Sequence, residues 1–351
     1  MMRKTVTGMS LSTEHLKLNT PNEVFLFDRF GDDHDRFSFP GPVYRVTGGH
    51  GGEAILILGR SNNVLIDCGM AYSAHITIEN IKKVLEDEAV IKDSRCRQGK
   101  LDYILLSHSH YDHMGALPYI LEEFPEAKVL AGAHCAKVLE REGAKKLIKE
   151  LGETARDLYD PGSKTEIITE GIHVDEVLEE GSCLYIGEKG DEAEYIKAIE
   201  TPGHTNCSMS FLIMPMGLLF SSESTGILEG EDYVHTPCLK SFIQGIASAE
   251  KCRAIDARHL CLPHFGMVPD SFIPEFWDMF IKECGSKTDF ISRLENEGLS
   301  QDEILSRYVE RYWTPIKEEE QPKEAFEINS GHIVKSLMNE LDQLKNRFDI
   351  R

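Results

Sequence analysis

The sequence predicts a mixed α/β chain arranged as a four-layer αββα sandwich, two mixed β-sheets flanked by helices, with a helical extension at the C-terminus. Three observations carry this. From residue 54 to 151 short apolar strand patterns alternate with amphipathic helical ones, from 165 to 220 the chain turns strand-rich, and beyond His264 only helical periodicity remains.

Taken in order, AILIL and VLID within 54–67 flank the turn Gly59-Arg60-Ser61-Asn62-Asn63, a hairpin that delivers Asp67 to a strand end. A helix follows with Ile78, Ile81, Val84 and Leu85 on one face. The strand Tyr103 to Leu106 then runs straight into SHSHYDH, which places that segment on the loop after a strand. The spacing next predicts a short helix at 117–124, a strand at 128–131 and one long amphipathic helix from Ala136 to Leu151. YIKAI, SMSFLI and GLLF read as strands between Gly and Pro turns, the first leading into Thr201-Pro202-Gly203-His204. After His264 the strands are expected to stop and three helices to follow, near 274–293, 300–313 and 331–347. Ser300 and Glu303 make a capping box ahead of Ile304, Leu305, Tyr308 and Val309, whereas the acidic IKEEEQPKEAFE at 316–327 reads as a solvated connector or an exposed helix.

At 351 residues the chain can bury a core without metals or disulfides as staples, so a metal here would serve chemistry. A formal charge of -21 repels phosphate backbones and anionic surfaces, which points to a small-molecule substrate and away from nucleic acid or membrane. Nine cysteines form an odd set with no CxxC pair, several inside apolar runs such as Leu260-Cys261-Leu262, as expected of reduced, buried thiols in a cytoplasm. No apolar segment backs the basic N-terminus and no stretch is long enough to span a bilayer, so the expected location is cytoplasmic. Whether the chain forms a homo-oligomer stays open.

His108-Ser109-His110-Tyr111-Asp112-His113 puts four candidate ligands into six residues, on a loop where three imidazoles would pack poorly. Imidazole nitrogen with carboxylate oxygen suits borderline transition metals rather than calcium or magnesium, and one ion cannot use every ligand.

With its HxHxDH motif complete, the sequence resembles the binuclear metallo-β-lactamase-fold metallohydrolase superfamily over residues 43 to 267. The other signature elements stand in the expected order: LIDCG with Asp67, TPGHT with His204, LLFSSES with Glu223 where aspartate is usual, and LPHFG with His264. The resemblance implies that His108, His110 and His204 hold a first metal. Asp112, His113 and His264 hold a second, and Glu223 bridges. Asp67 then sits behind the ligands and orients an imidazole or the motif's backbone by hydrogen bonding. Two divalent ions, zinc in the first place with iron or manganese as alternatives, share a water and lower its pKa, and Asp112 and Glu223 are the candidates to move its proton. The extra methylene of Glu223 changes the carboxylate's reach. The superfamily's alkylsulfatases also use glutamate at a comparable place, but in much longer chains.

The resemblance divides the chain into an N-terminal extension (1–42) packed on the core, a catalytic domain (43–270) and a C-terminal helical region (271–351). In glyoxalase II and some signalling thioesterases such helices cover the site, so Phe272, Phe276, Trp277, Met279 and Phe280 belong either to a core or to a lid. Tyr233 and His235 lie where this superfamily often borders its pocket and are candidate substrate contacts. His15, His34, His50, His75, His134, His173, His259 and His332 lack partner spacing. Cys68 and Cys207 do not match the cysteine ligand of true β-lactamases and read as small buried hydrophobes, while Gly115 and Gly203 serve tight approach or ordinary turns.

The leading functional expectation is hydrolysis of an ester, thioester, lactone or phosphodiester bond in a small molecule by a hydroxide bridging two metal ions. Alternatives are diiron or iron redox chemistry on oxygen, nitric oxide or persulfide, and a catalytically weak regulatory or binding protein. Against redox, His110 stands where the flavodiiron motif usually has glutamate, and no flavin domain follows.

Overall fold

Alternation along each strand gives every residue one of two faces, and in this chain both faces are apolar. In the computed structural model, which describes residues 16–20, 35–88, 90, 99–188, 193–229, 233–314 and 323–349, the strands form two six-stranded sheets and one small hairpin. The first sheet runs β1 (Val43–Arg45), β2 (Ile55–Leu58), β3 (Asn63–Ile66), β4 (Tyr103–Leu106), β5 (Lys128–Gly132) and β6 (Glu176–Leu178), in sequence order. Its first two pairings are antiparallel and the remaining three parallel.

The second sheet has the order β14-β13-β10-β9-β8-β7, where β7 is Cys183–Tyr185, β8 Tyr195–Glu200, β9 Met209–Met214, β10 Leu218–Phe220, β13 His259–Cys261 and β14 Met267–Val268. Only β10 with β13 is parallel. β11 (Ile227–Glu229) and β12 (Tyr233–His235) form the hairpin.

Ile55, Ile57, Val64, Ile66, Leu105 and Leu130 face Ile196, Ala198, Phe211, Ile213, Leu218 and Phe220 across the space between the sheets. The alternate residues Leu56, Leu58, Leu65, Ile104, Leu106 and Val129 pack outward under α1 (Ala74–Glu86) and α3 (Leu117–Glu123). On the far side Leu219, Leu260 and Val268 pack under α6 (Phe242–Arg253), α7 (Ile273–Asn296), α8 (Gln301–Tyr312) and α9 (Lys323–Asp349). Each such fully buried aliphatic side chain contributes about 1.5–3 kcal/mol of transfer free energy. The result is the four-layer αββα sandwich with a helical C-terminus.

Four local expectations change. The single helix from Ala136 is two, α4 (Ala133–Leu139) and α5 (Glu142–Tyr159), broken where Arg141 takes an extended backbone. Gly143 stands two residues beyond it, in the first turn of α5. A strand does follow His264: β14 is reached through Phe265 and Gly266, both at positive φ, and pairs with β13. α9 spans Lys323–Asp349 where a helix is expected only from 331, so 323–327 of the acidic segment takes the helical one of its two readings, while 315–322 lies outside the described residues. α6 was not anticipated, because Gly245 interrupts a weak helical pattern, although Ser241 caps it by accepting from Gln244 N.

The capping box at Ser300 and Glu303 is present, with both reciprocal bonds. Of the N-terminal extension, Leu16 and Leu18 pack on the first core and Asn19 exchanges two hydrogen bonds with Asn80, whereas 1–15 and 21–34, with His15 and His34, lie outside the described residues. Seven of the eight described cysteines are buried, Cys183 is exposed, and Cys96 is not among the described residues. No described helix is long and apolar enough to cross a membrane.

Candidate metal centre

Parallel strands end their ladders at a common edge, and the loops leaving β3 and β4 meet there. Asp67 follows β3 with φ 54, a left-handed conformation that aims its carboxylate at the β4 loop. Its Oδ1 accepts from Ser107 N at 2.7 Å, and its Oδ2 accepts from Ser107 Oγ at 2.6 Å and from His113 Nδ1 at 2.9 Å. The expected role of Asp67 behind the ligands thus has a geometric counterpart. It acts on α2 (Tyr111–Met114), which carries Asp112 and His113, as well as on the loop before it.

The seven candidate ligands converge in two groups. His108, His110 and His204 form one, and Asp112, His113, Glu223 and His264 the other, each with its ligand atoms within 4.8 Å of one another. Glu223, in a short turn after β10, joins them: Oε1 lies 2.7 Å from His113 Nε2 and 3.1 Å from His264 Nε2, and Oε2 lies 3.2 Å from His204 Nε2. Asp112 Oδ2 is 3.4 Å from His113 Nε2 and 3.6 Å from His264 Nε2.

Tautomers follow from the outer partners. Ser107 gives its only hydroxyl hydrogen to Asp67, so it accepts from His108 Nδ1 at 3.0 Å. His204 Nδ1 donates to the Pro237 carbonyl at 2.6 Å. In its neutral form each ring therefore turns the Nε2 lone pair to the centre. Among the described residues His108 Nε2 has no hydrogen-bond partner, and His204 Nε2 stands 2.9 Å from His110 Nδ1. A buried lone pair that meets no donor, as at His108 Nε2, is costly unless a cation lies against it. The donor set, five imidazoles and two carboxylates, fits a pair of borderline divalent ions.

Electrostatics without metal agree with this crowding. Burial and the neighbouring His113 and His110 push His108 well below the ordinary imidazole value, and burial with His204 takes His110 down to about 4. Burial also opposes charge on His113, yet Asp112, Asp67 and Glu223 raise it well above normal, and Glu223 raises His264. For Glu223 burial works upward, but His204, His264 and His113 hold it well below the usual carboxylate range.

Gly203 has φ +147, and a Cβ there would lie 2.6 Å from Gly245 Cα; at Gly115 one would lie 2.9 Å from Ala71 N. Close backbone approach is thus the role of both. Cys68 and Cys207 are buried, Cys207 Sγ 3.5 Å from Ser109 Oγ. Tyr233 and His235 sit on β12, and Tyr233 Oη accepts from Lys287 Nζ at 3.1 Å. Phe272, Phe276, Trp277 and Phe280 are buried in the core outside the second sheet, with Met279 packed against it.

Sequence reasoning missed an aromatic wall beside Asp112. The exposed His50 stacks on Tyr159 with ring centres 4.7 Å apart, Tyr159 lies 6.0 Å from Tyr72, and Tyr72 Oη accepts from His50 N at 2.8 Å. Tyr111 packs on the same cluster. These residues come from four separate elements, and no spacing announces them.

Residues 47–231 match the family model of the metallo-beta-lactamase superfamily, and the chain belongs to that superfamily. It is 30% identical over 215 residues, 60% of this chain and 76% of the relative, to a metallo-beta-lactamase fold-containing protein of Sulfurisphaera tokodaii. An uncharacterised Bacillus subtilis protein is 32% identical over 124 residues, a match spanning 35% of this chain and 46% of that protein. Among solved structures, a metallo-beta-lactamase family protein of Thermus thermophilus shares the fold with TM-score 0.54 at 16% identity, over 85% of this chain and 94% of that one.

Proposed function

We propose that the chain is a hydrolase that holds two divalent metal ions and cleaves an ester, thioester, lactone or phosphodiester bond in a small molecule. The observation that carries this is Glu223, whose two oxygens serve different ligand groups. A carboxylate so divided suits a bridge between neighbouring cations.

His108, His110 and His204 would hold one ion, Asp112, His113 and His264 the other, and zinc is the proposed metal because imidazole dominates the set. When bound, such ions supply an acidified water and a Lewis-acid contact to the oxygen under attack. Asp112, its side chain 16% exposed, is the carboxylate with access to solvent and is proposed to accept and return the proton. Glu223, more deeply buried, orients the ligand rings and is the second candidate. Tyr233 and His235 are proposed to border the pocket, with 43–270 as the catalytic unit and 271–351 as the helical region that shapes it. The charge of -21 favours a substrate that is not polyanionic.

The test is turnover by the zinc-loaded chain across ester, thioester, lactone and phosphodiester panels, beside its His110→Ala variant. Activity in at least one panel that the variant loses supports the reading. Equal rates in all panels overturn it.

A further inference from the structure

The segment from Thr236 to Phe242 lies between the candidate metal centre and the C-terminal helices, and it is gripped from both sides. Toward the centre, the Pro237 carbonyl accepts from His204 Nδ1 at 2.6 Å, and Lys240 N and Ser241 N donate to Gly203 O at 3.0 and 3.1 Å. The segment therefore holds both the ring of His204 and the backbone just before it. Ser248 Oγ, on α6, adds a bond to Pro202 O at 2.7 Å.

On the other side two helices hold the same segment. Lys287 of α7 is 0% exposed and donates Nζ to Thr236 Oγ1 at 2.8 Å and to Tyr233 Oη at 3.1 Å. Its Nζ lies 5.5, 5.8 and 5.0 Å from the ring centres of Tyr233, Tyr308 and Tyr312. Glu340 of α9 accepts from Ser241 Oγ and, at 3.0 Å, from Phe242 N, while Ser336 Oγ donates to Lys240 O at 2.6 Å. A lysine in a protein interior is costly, and an apolar residue would fill the same volume at less expense. What Lys287 adds is a donor to Thr236, at the start of the segment that holds His204, and a second donor to Tyr233 on the strand leading into it.

We infer that Lys287 and Glu340 are positioning residues for His204, acting through the Thr236–Phe242 segment. The C-terminal helices then influence the metal centre from behind a ligand, by fixing the tautomer and aim of one imidazole. This rests on the two-metal reading above, and it assigns the effect to the His108–His110–His204 group in particular.

The experiment compares the full-length wild type with Lys287→Met, which keeps side-chain length and apolar packing, and with Glu340→Ala, a partly exposed position. The readouts are a chelator-competition titration of both metals, the visible spectrum of the cobalt-loaded chain, and thermal unfolding of the metal-free chain. In both variants one ion should bind roughly 10–100-fold more weakly, as when a ligand imidazole loses its outer partner, while the other keeps its affinity. The cobalt absorption should shift, and Glu340→Gln, which retains one acceptor oxygen, should recover part of both changes. Wild-type affinities and spectrum in Glu340→Ala overturn the inference, even where the melting temperature falls. Should Lys287→Met fail to fold, Glu340→Ala decides alone. A wild type that takes up no metal removes the two-metal reading itself, a result distinct from an unaffected variant.

Discussion

Asp67 Oδ2 lies 2.9 Å from His113 Nδ1, on the side of the ring away from Glu223. One carboxylate therefore sets the tautomer that leaves Nε2 for the centre, and the same group ties the loop holding His108 through two bonds from Ser107. Asp67→Ala removes a wholly buried acceptor from three donors. The expected loss is about 3–5 kcal/mol in urea unfolding of the metal-free chain, typical of breaking a buried charged pair. Metal affinity should fall by about 10–100-fold in the same variant. A stable variant with unchanged affinity would show that Asp67 only caps a turn.

The metal-free chain should be most stable near pH 6.5, the ordinary imidazole value. His110 is held at about 4 and His108 well below normal, so as pH falls from 6.5 the unfolded chain takes up protons that the fold refuses, and stability drops. His113 and His264 are raised, so their contribution is complete below 6.5 and is lost as pH rises through their folded values. Urea midpoints across pH 4 to 9 check this curve; a monotonic rise or fall would contradict it.

Metal uptake at pH 7 should release protons, because the imidazolium form of His113 that Asp112, Asp67 and Glu223 favour cannot be a ligand. Calorimetry in two buffers of different ionisation enthalpy should report at least about one proton per chain. Zero release would mean that His113 is already neutral.

The aromatic wall predicts selectivity. His50 and Tyr159 stack next to the loop in which a Cβ at Gly51 would approach Asp112 Cβ to 3.2 Å. Tyr159→Ala should raise KM for substrates with an aromatic or apolar group by about 2- to 12-fold, the equivalent of about 0.5–1.5 kcal/mol of ring contact, with kcat little changed. A loss confined to kcat would place the wall outside the binding path.

Much of the centre was legible because its chemistry lies in short local patterns. Asp67, the HxHxDH segment, His204, Glu223 and His264 each stand at a strand end, where apolar runs mark the strand and polar residues mark the loop. The two-sheet core was legible for the same reason, since β2, β3 and β4 are apolar on both faces. What escaped depends on partners distant in sequence. The Pro237 carbonyl that orients His204 is a backbone atom with no side-chain signature. α6 carries Gly245 because a Cβ there would lie 2.5 Å from Cys238 Sγ and 3.2 Å from Ser224 O, and that demand weakens the helical pattern it interrupts. The break between α4 and α5 has no Pro and only Gly143 beside it, inside the first turn of α5, so periodicity runs the two helices into one.

Elemental analysis of the zinc-loaded, gel-filtered wild type beside Glu223→Gln counts the ions of the proposed paired site. Two tightly held ions per wild-type chain are expected, with the loss of at least one when the carboxylate of Glu223 between the two groups becomes an amide. A wild type that retains one ion or none, or a Glu223→Gln chain that keeps both, would rule out the paired site.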